Sequence, residues 1–149
     1  MTAVPPRVYR GGMSERDPAD GAVRPEPVRV VTDDELVVGD PTPGMLRRRA
    51  FEVPGLWAGQ VVTDPGAVSG WHHHDSNVSV LYVVRGVLRL ECEGVEGWVD
   101  AVAGSYVHVP AFTVHRESNP GREASLAVIA RSGVGLPTVN VTTAPPPHR

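Results

Sequence analysis

From Met45 onward, short apolar segments alternate with glycines and prolines along the chain. The candidate strands are residues 46–53, 56–63, 69–74, 78–84, 87–92, 97–102, 105–109, 113–118 and 124–131, and residues 139–142 could add an edge strand. Each segment is rich in Val, Leu, Ile or aromatic residues, and turn signals such as Pro54-Gly55 and Pro120-Gly121 separate neighbouring segments. Many short strands with regular turns predict an all-β, antiparallel sandwich or barrel and argue against alternating β/α units.

The two ends of the chain differ in composition from this β-rich region. Residues 1–28 are rich in Pro, Arg, Asp, Glu and Gly and poor in apolar side chains, which predicts an N-terminal arm outside the core. We expect one domain over residues 29–142 and a proline-rich tail over residues 143–149. Thr32 is followed three residues later by Glu35, a capping-box pattern that predicts a short helical turn.

The overall composition excludes several classes of partner. The chain has 149 residues, of which 41% are hydrophobic, and its net charge is −3, so nothing indicates binding to nucleic acid or to an anionic membrane. The apolar run over residues 78–84 is far too short to span a bilayer. No basic segment followed by an apolar stretch lies near Met1, and Cys92 is the single cysteine, so we expect a reducing, cytoplasmic location.

The run Trp71-His72-His73-His74-Asp75 is the strongest chemical signal in the sequence. In a strand, residues two apart project to the same face, so His72 and His74 point together while His73 points away. One strand cannot surround an ion, so a third ligand must come from another strand. His115 suits that role because it follows a turn that leads into a new strand.

Two stretches of the chain resemble the two sequence motifs of the cupins. The first is Gly66-x5-His72-x-His74-x4-Ser79-x6-Gly86. The second is Gly104-x5-Pro110-x-Phe112-x2-His115-x3-Asn119. The resemblance extends over about residues 45–131, and it implies a small antiparallel jelly-roll β-barrel with one divalent metal ion in its mouth, assembled as a homodimer or larger. Carried over by position, His72, His74 and His115 would be the metal ligands.

The sequence departs from the cupin pattern at two positions. Ser79 stands where the motif has a glutamate, and Phe112 stands where it has a glycine. Three neutral imidazoles would leave the full charge of the ion in the site and up to three coordination positions open, which is typical of catalytic rather than structural sites. Imidazole ligands with open positions favour Fe(II), with Zn(II), Ni(II) or Mn(II) as alternatives.

Two further residues are candidates for catalytic roles. Ser79 could donate a hydrogen bond to bound water or could simply fill space. Glu117 lies two residues after His115 and should share its inward face, as a general base, a partner that orients an imidazole or a replacement ligand. The interpretation we favour for Glu117 is a rim residue paired with an arginine such as Arg116 or Arg122.

Other residues near the motifs have simpler interpretations. We expect His108 to face outward and Phe112 to narrow the entrance and exclude water. The run over residues 47–49, three arginines, is typical of a solvated edge strand. Alternatively, one of these arginines turns inward and binds a substrate carboxylate.

The leading hypothesis is a non-haem iron enzyme that carries out a dioxygenase-type reaction on a small chelating substrate. A redox-neutral lyase, isomerase or rearrangement enzyme with Zn(II), Ni(II) or Mn(II) is the closest alternative. A cupin that binds a small molecule without turning it over is a further alternative. The expected partners are therefore a small-molecule substrate and a second copy of the chain.

Overall fold

A computed structural model describes residues 26–133 and 138–142. Most of the predicted arm (residues 1–28) and the predicted tail (residues 143–149) lie outside these residues, and residues 26–28 are exposed without regular structure. A short 3-10 helix spans Asp33–Glu35, and the backbone N–H of Thr32 donates to the Glu35 carboxylate at 2.8 Å, which confirms the predicted helical turn.

The rest of the described chain is built from strands. They are β1 (Val37–Val38), β2 (Met45–Val53), β3 (Leu56–Thr63), β4 (His72–His73), β5 (Val78–Arg85), β6 (Val87–Cys92), β7 (Val99–Val102), β8 (Tyr106–Val109), β9 (His115–Ser118), β10 (Ser125–Ser132) and β11 (Val139–Asn140). They form two antiparallel sheets, one in the order β1-β2-β3-β10-β5-β8 and the other in the order β11-β4-β9-β6-β7. The predicted all-β antiparallel class is confirmed, and the two sheets fit a jelly roll.

The predicted strand over residues 69–74 is shorter than expected. Only His72 and His73 form β4, because the carbonyl of His74 accepts the N–H of Asn77 and so begins a turn. Before β4, the N–H of Ser69 donates to the carbonyl of Glu117 at 2.8 Å, which holds this segment beside β9 outside the regular ladder. The histidine run therefore lies where a strand gives way to a turn.

Strand alternation directs the apolar side chains of both sheets to one shared core. The buried hydrophobic residues are Met45, Val61, Leu81, Val83, Leu88, Leu90, Ala101, Val109, Ala127 and Ile129. Fully burying one such aliphatic side chain contributes about 1.5–3 kcal/mol. Beyond one end of this core, the inward-facing positions of β3, β5 and β10 become polar or aromatic, and the candidate site lies there.

Gly86 makes the turn between β5 and β6, where the chain passes from one sheet to the other. Its φ of 74° is one that an L side chain adopts only with strain. A Cβ at this position would also lie 2.9 Å from the Cα of Ser125. The turn therefore needs glycine for its backbone conformation and for its close contact with β10.

Candidate metal centre

The three predicted ligand histidines lie together between the two sheets. His72 on β4 and His115 on β9 are neighbours in the ladder, and His74 follows β4 directly. Their side chains are buried, with 4%, 4% and 0% of the surface exposed for His72, His74 and His115. The ring centroids are 4.5–5.1 Å apart, and one ligand nitrogen from each ring lies within 4.8 Å of the others. Such a cluster suits one divalent ion after small ring rotations.

Hydrogen bonds set the tautomers of these rings. Nδ1 of His72 lies 2.9 Å from the carbonyl of Gly70, and Nδ1 of His115 lies 2.8 Å from the carbonyl of Thr113. A carbonyl oxygen can only accept a hydrogen bond, so Nδ1 carries the proton in both rings. In the neutral form of each ring, Nε2 is therefore the nitrogen that carries the lone pair, as in histidines that bind metals.

The donor atoms fit a metal ion for a second reason. Nε2 of His115 is buried and finds no hydrogen-bond partner among the residues that the structure describes. Leaving a buried polar atom without a partner costs about 1–3 kcal/mol, so such atoms usually have a ligand. Burial also lowers the pKa of His72, which favours the neutral imidazole that binds metals.

Arg131 occupies the corner where the motif glutamate would stand. Ser79 on β5 and Arg131 on β10 are ladder partners, so their side chains share the inward face. Nε of Arg131 donates to Oγ of Ser79 at 2.9 Å, and its Nη2 lies 3.3 Å from Nε2 of His74. An arginine can only donate, so Nε2 of His74 is unprotonated as well. Sequence reasoning identified Ser79 but missed Arg131, because their pairing depends on the register of two distant strands.

Glu117 projects inward as predicted and pairs with an arginine other than Arg116 or Arg122, the two examples that the sequence suggested. It is 6% exposed, and its Oε2 lies 3.4 Å from Nη2 of Arg47 rather than beside Arg116 or Arg122. Arg116 instead pairs with Glu91 on β6 at 2.6 Å. The rim interpretation of Glu117 is therefore replaced by a buried carboxylate near the histidines.

The surroundings of Glu117 hold it in place. Its backbone N–H donates to Oγ of Ser69 at 2.9 Å, and its negative charge partly offsets the lowering of the His72 pKa that burial causes. Nη1 of Arg47 donates to Oγ1 of Thr42 at 2.7 Å, which directs the guanidinium toward the site. One arginine of the run over residues 47–49 thus turns inward, as the second interpretation of that run required. It contacts a carboxylate of the chain itself.

The remaining histidines near the motifs lie outside the cluster. His73 is half-buried, and its Nδ1 accepts the N–H of Asp75 at 3.0 Å. His108 is exposed, as predicted. Among the described residues, the metal-ligand cluster contains His72, His74 and His115 without a carboxylate.

Phe112 is 61% exposed, so most of its surface faces solvent, and its expected position at the entrance stays a prediction. Its φ is 59°, a left-handed conformation that explains why glycine is the usual residue at this position of the motif. Asp75, next to His74, has a φ of 52°, and its backbone carbonyl accepts a hydrogen bond from the N–H of Phe112 at 2.8 Å. A hydrogen bond thus joins two non-glycine residues in this conformation beside one of the three clustered histidines, and strained backbone is common at functional sites.

The family model described as the cupin domain matches residues 59–130. The structure of KdgF from Halomonas sp. is 25% identical to the chain with a TM-score of 0.58, and the alignment covers 69% of this chain and 92% of KdgF. The chain belongs to the cupin superfamily. The matched residues of this cupin contain all three clustered histidines.

Two more solved structures resemble this cupin in fold. One is an RmlC-like cupin from Shewanella frigidimarina, 23% identical with a TM-score of 0.59, covering 70% of this chain and 89% of the other. The other is the S161A mutant of the oxalate decarboxylase OxdC from Bacillus subtilis, 19% identical with a TM-score of 0.60. That alignment covers 68% of this cupin but 29% of the decarboxylase chain.

No curated protein matches the sequence of this cupin. Within residues 26–133 and 138–142, no helix is long and apolar enough to cross a membrane.

Proposed function

We propose that this cupin is a metal-dependent enzyme that acts on a small chelating substrate. His72, His74 and His115 would hold one divalent ion. The observation that carries the proposal is a cluster of three buried imidazoles, in which the Nδ1 atoms of His72 and His115 contact backbone carbonyls and leave Nε2 as the ligand nitrogen. Among the described residues the cluster contains no carboxylate, so positions remain open for a substrate.

The leading reaction is a dioxygenase-type oxidation with Fe(II). An iron ion on three imidazoles would supply Lewis acidity and the capacity to activate dioxygen. The chain would hold two of the three imidazoles, His72 and His115, in the correct tautomer through the carbonyls of Gly70 and Thr113. Their burial between the sheets limits the access of bulk water to the ligand nitrogens.

Glu117 and Ser79 are the proposed catalytic side chains. Glu117 is buried, lies two residues from His115 and is held by Arg47 and Ser69, so it could accept a proton from a substrate at a fixed position. Ser79 is 1% exposed and its Oγ accepts a hydrogen bond from Nε of Arg131, so this hydroxyl would orient the guanidinium of Arg131. Both residues would act around the ion rather than as its ligands.

The alternative is a redox-neutral reaction on the same site, a lyase or isomerase with Zn(II), Ni(II) or Mn(II) as Lewis acid. The oxalate decarboxylase of Bacillus subtilis contains Mn(II) centres. At 19% identity, this likeness supports the fold of the present chain rather than its reaction. A cupin that binds a small molecule without turnover is the third possibility, and it predicts binding without product.

Metal analysis of untagged, natively purified protein is the first test, because an affinity tag would add its own histidines. We expect about one divalent ion per chain. The metal-stripped protein is then reloaded with Fe(II) or Zn(II) and mixed with a β-diketone, a catechol and an aminothiol in an oxygen electrode. Oxygen consumption by the Fe(II)-loaded protein but not by the Zn(II)-loaded protein supports the dioxygenase reaction. Equal product without oxygen would support the redox-neutral reaction, and absence of stoichiometric metal would refute both.

The homodimer and the cytoplasmic location stay predictions. The outer face of the six-stranded sheet carries exposed apolar side chains, which supports a second copy packing there. They are Val80, Tyr82, Val84, Tyr106 and Val128. Light scattering after gel filtration should give twice the mass of the chain, and a monomer at micromolar concentration would contradict the homodimer.

A further inference from the structure

Arg131 places a guanidinium group at the edge of the three-histidine cluster. It extends from the inward face of β10, and the ladder pairing with Ser79 fixes its position along the sheet. The contacts to Oγ of Ser79 at 2.9 Å and to Nε2 of His74 at 3.3 Å hold it there. This corner of the site therefore carries a positive charge where the cupin motif has a carboxylate.

The surroundings keep that charge directed into the site. The guanidinium carbon of Arg131 lies 5.7 Å from the centre of the Trp57 ring, within the range of a cation–π contact. Burial lowers the pKa of Arg131, but an arginine remains protonated in proteins. The charges of Arg47 and Glu117 also act on this group, so two arginines and one buried carboxylate lie near the three histidines.

An ion in the centre would change the contacts of Arg131. The guanidinium and a metal ion would use the same lone pair on Nε2 of His74, since an unprotonated imidazole nitrogen has one lone pair. Binding of the ion therefore takes this acceptor from Arg131. It also adds a second positive charge nearby, which is unfavourable unless an anion lies between the two.

We propose that Arg131 binds a carboxylate group of the substrate, and that this carboxylate chelates the ion held by the three histidines. A planar guanidinium pairs with a carboxylate through charge-assisted hydrogen bonds, which are stronger than neutral ones. Ser79 would hold the guanidinium in the orientation for this pairing. The inference rests on the proposed metal site and adds to it a substrate class: small carboxylic acids with a second donor group.

The test uses the full chain loaded with Co(II), whose visible absorption reports the ligands on the ion. Glycolate, a carboxylate with a neighbouring hydroxyl, is the anionic probe, and imidazole is the neutral probe. Wild type is compared with Arg131→Gln and Arg131→Lys. Arg122→Gln is the matched control, because Arg122 is exposed and its loss changes the net charge equally. Thermal unfolding confirms that each variant is folded.

We expect Arg131→Gln to weaken glycolate binding about 10- to 100-fold, the range for losing hydrogen bonds to a charged group. Imidazole binding should stay within about threefold of wild type, because that ligand needs no counter-charge. Arg131→Lys keeps the charge but lacks the planar guanidinium, so its glycolate affinity should lie between those of wild type and Arg131→Gln. Should Arg131→Gln not fold, Arg131→Lys still reports on the pairing.

The two proposals fail in different ways. Equal glycolate affinity in wild type and Arg131→Gln, or absence of glycolate binding by a wild type that holds Co(II), would overturn the role of Arg131 and leave the metal site intact. An equal loss in Arg122→Gln would also overturn it, since the effect would then follow net charge. Failure of wild type to bind Co(II) would overturn both.

Discussion

Metal binding should stabilise the folded protein through His115, and the size of the effect can be worked from the structure. His115 is fully buried, and its Nε2 lacks a hydrogen-bond partner among the described residues, so an ion would bind the folded site but not a dispersed set of histidines. A ligand present at 100 times its dissociation constant stabilises the folded state by about 2.7 kcal/mol. For a domain of this length, that corresponds to a rise in Tm of roughly 10 °C.

The perturbation is His115→Gln, which removes one of three ligand nitrogens while keeping a polar side chain of similar size. If the substitution weakens metal binding 100-fold, the same metal concentration stabilises the variant by only about 0.4 kcal/mol. The rise in Tm should then fall to about 2 °C or less. Without metal, the free energies of unfolding of wild type and His115→Gln should differ by about 1–2 kcal/mol at most, since the variant loses the hydrogen bond to the Thr113 carbonyl.

The assay is calorimetric or dye-monitored unfolding of metal-stripped protein, with and without Zn(II) or Co(II). His108→Gln is the matched control, because His108 is exposed and lies outside the cluster, and it should keep the full metal-induced rise. The reasoning is refuted if His115→Gln shows the same rise as wild type. A wild type that retains one ion per chain without any gain in stability would refute it too.

Two further predictions concern stability away from the metal centre. Gly86→Ala should lower the free energy of unfolding in urea by about 2 kcal/mol or more, because it combines a left-handed φ with a Cβ 2.9 Å from Ser125. Gly55→Ala is the control: Gly55 has a φ of 77° but no atom within 4 Å of an added Cβ, so this substitution should cost clearly less. Equal losses in the two variants would count against a role of the contact with Ser125. Glu91→Gln should lower the free energy of unfolding by about 0.5–1 kcal/mol at pH 7 by removing a partly exposed ion pair. Arg116 lowers the pKa of Glu91 in the folded protein, so the ion pair contributes fully above the pKa of unfolded Glu91, and its contribution is lost as the pH falls through the folded pKa. In urea titrations, the free energies of unfolding of wild type and Glu91→Gln should therefore converge in acid. A difference that stays constant with pH would contradict the ion pair as its cause.

The sequence determined the β class, most strand positions and the separation of the histidine run into two buried side chains and a more exposed one. Those features are local: alternation puts His72 and His74 on one face, and glycine and proline mark the turns. The motif spacing also identified His115 as the third member, although it lies on a different strand. The capping of the short helix at Thr32 was likewise predictable from the sequence, since it depends on residues three apart in the chain.

Only the tertiary structure decided what surrounds the three histidines. The Ser79–Arg131 contact joins residues 52 apart and the Arg47–Glu117 contact joins residues 70 apart in the chain. A slip of one residue in either pairing would turn these side chains to the other face, and the local pattern does not specify the register between distant strands. The sequence could therefore identify the missing carboxylate at Ser79, while the folded ladder was needed to show that an arginine takes its place.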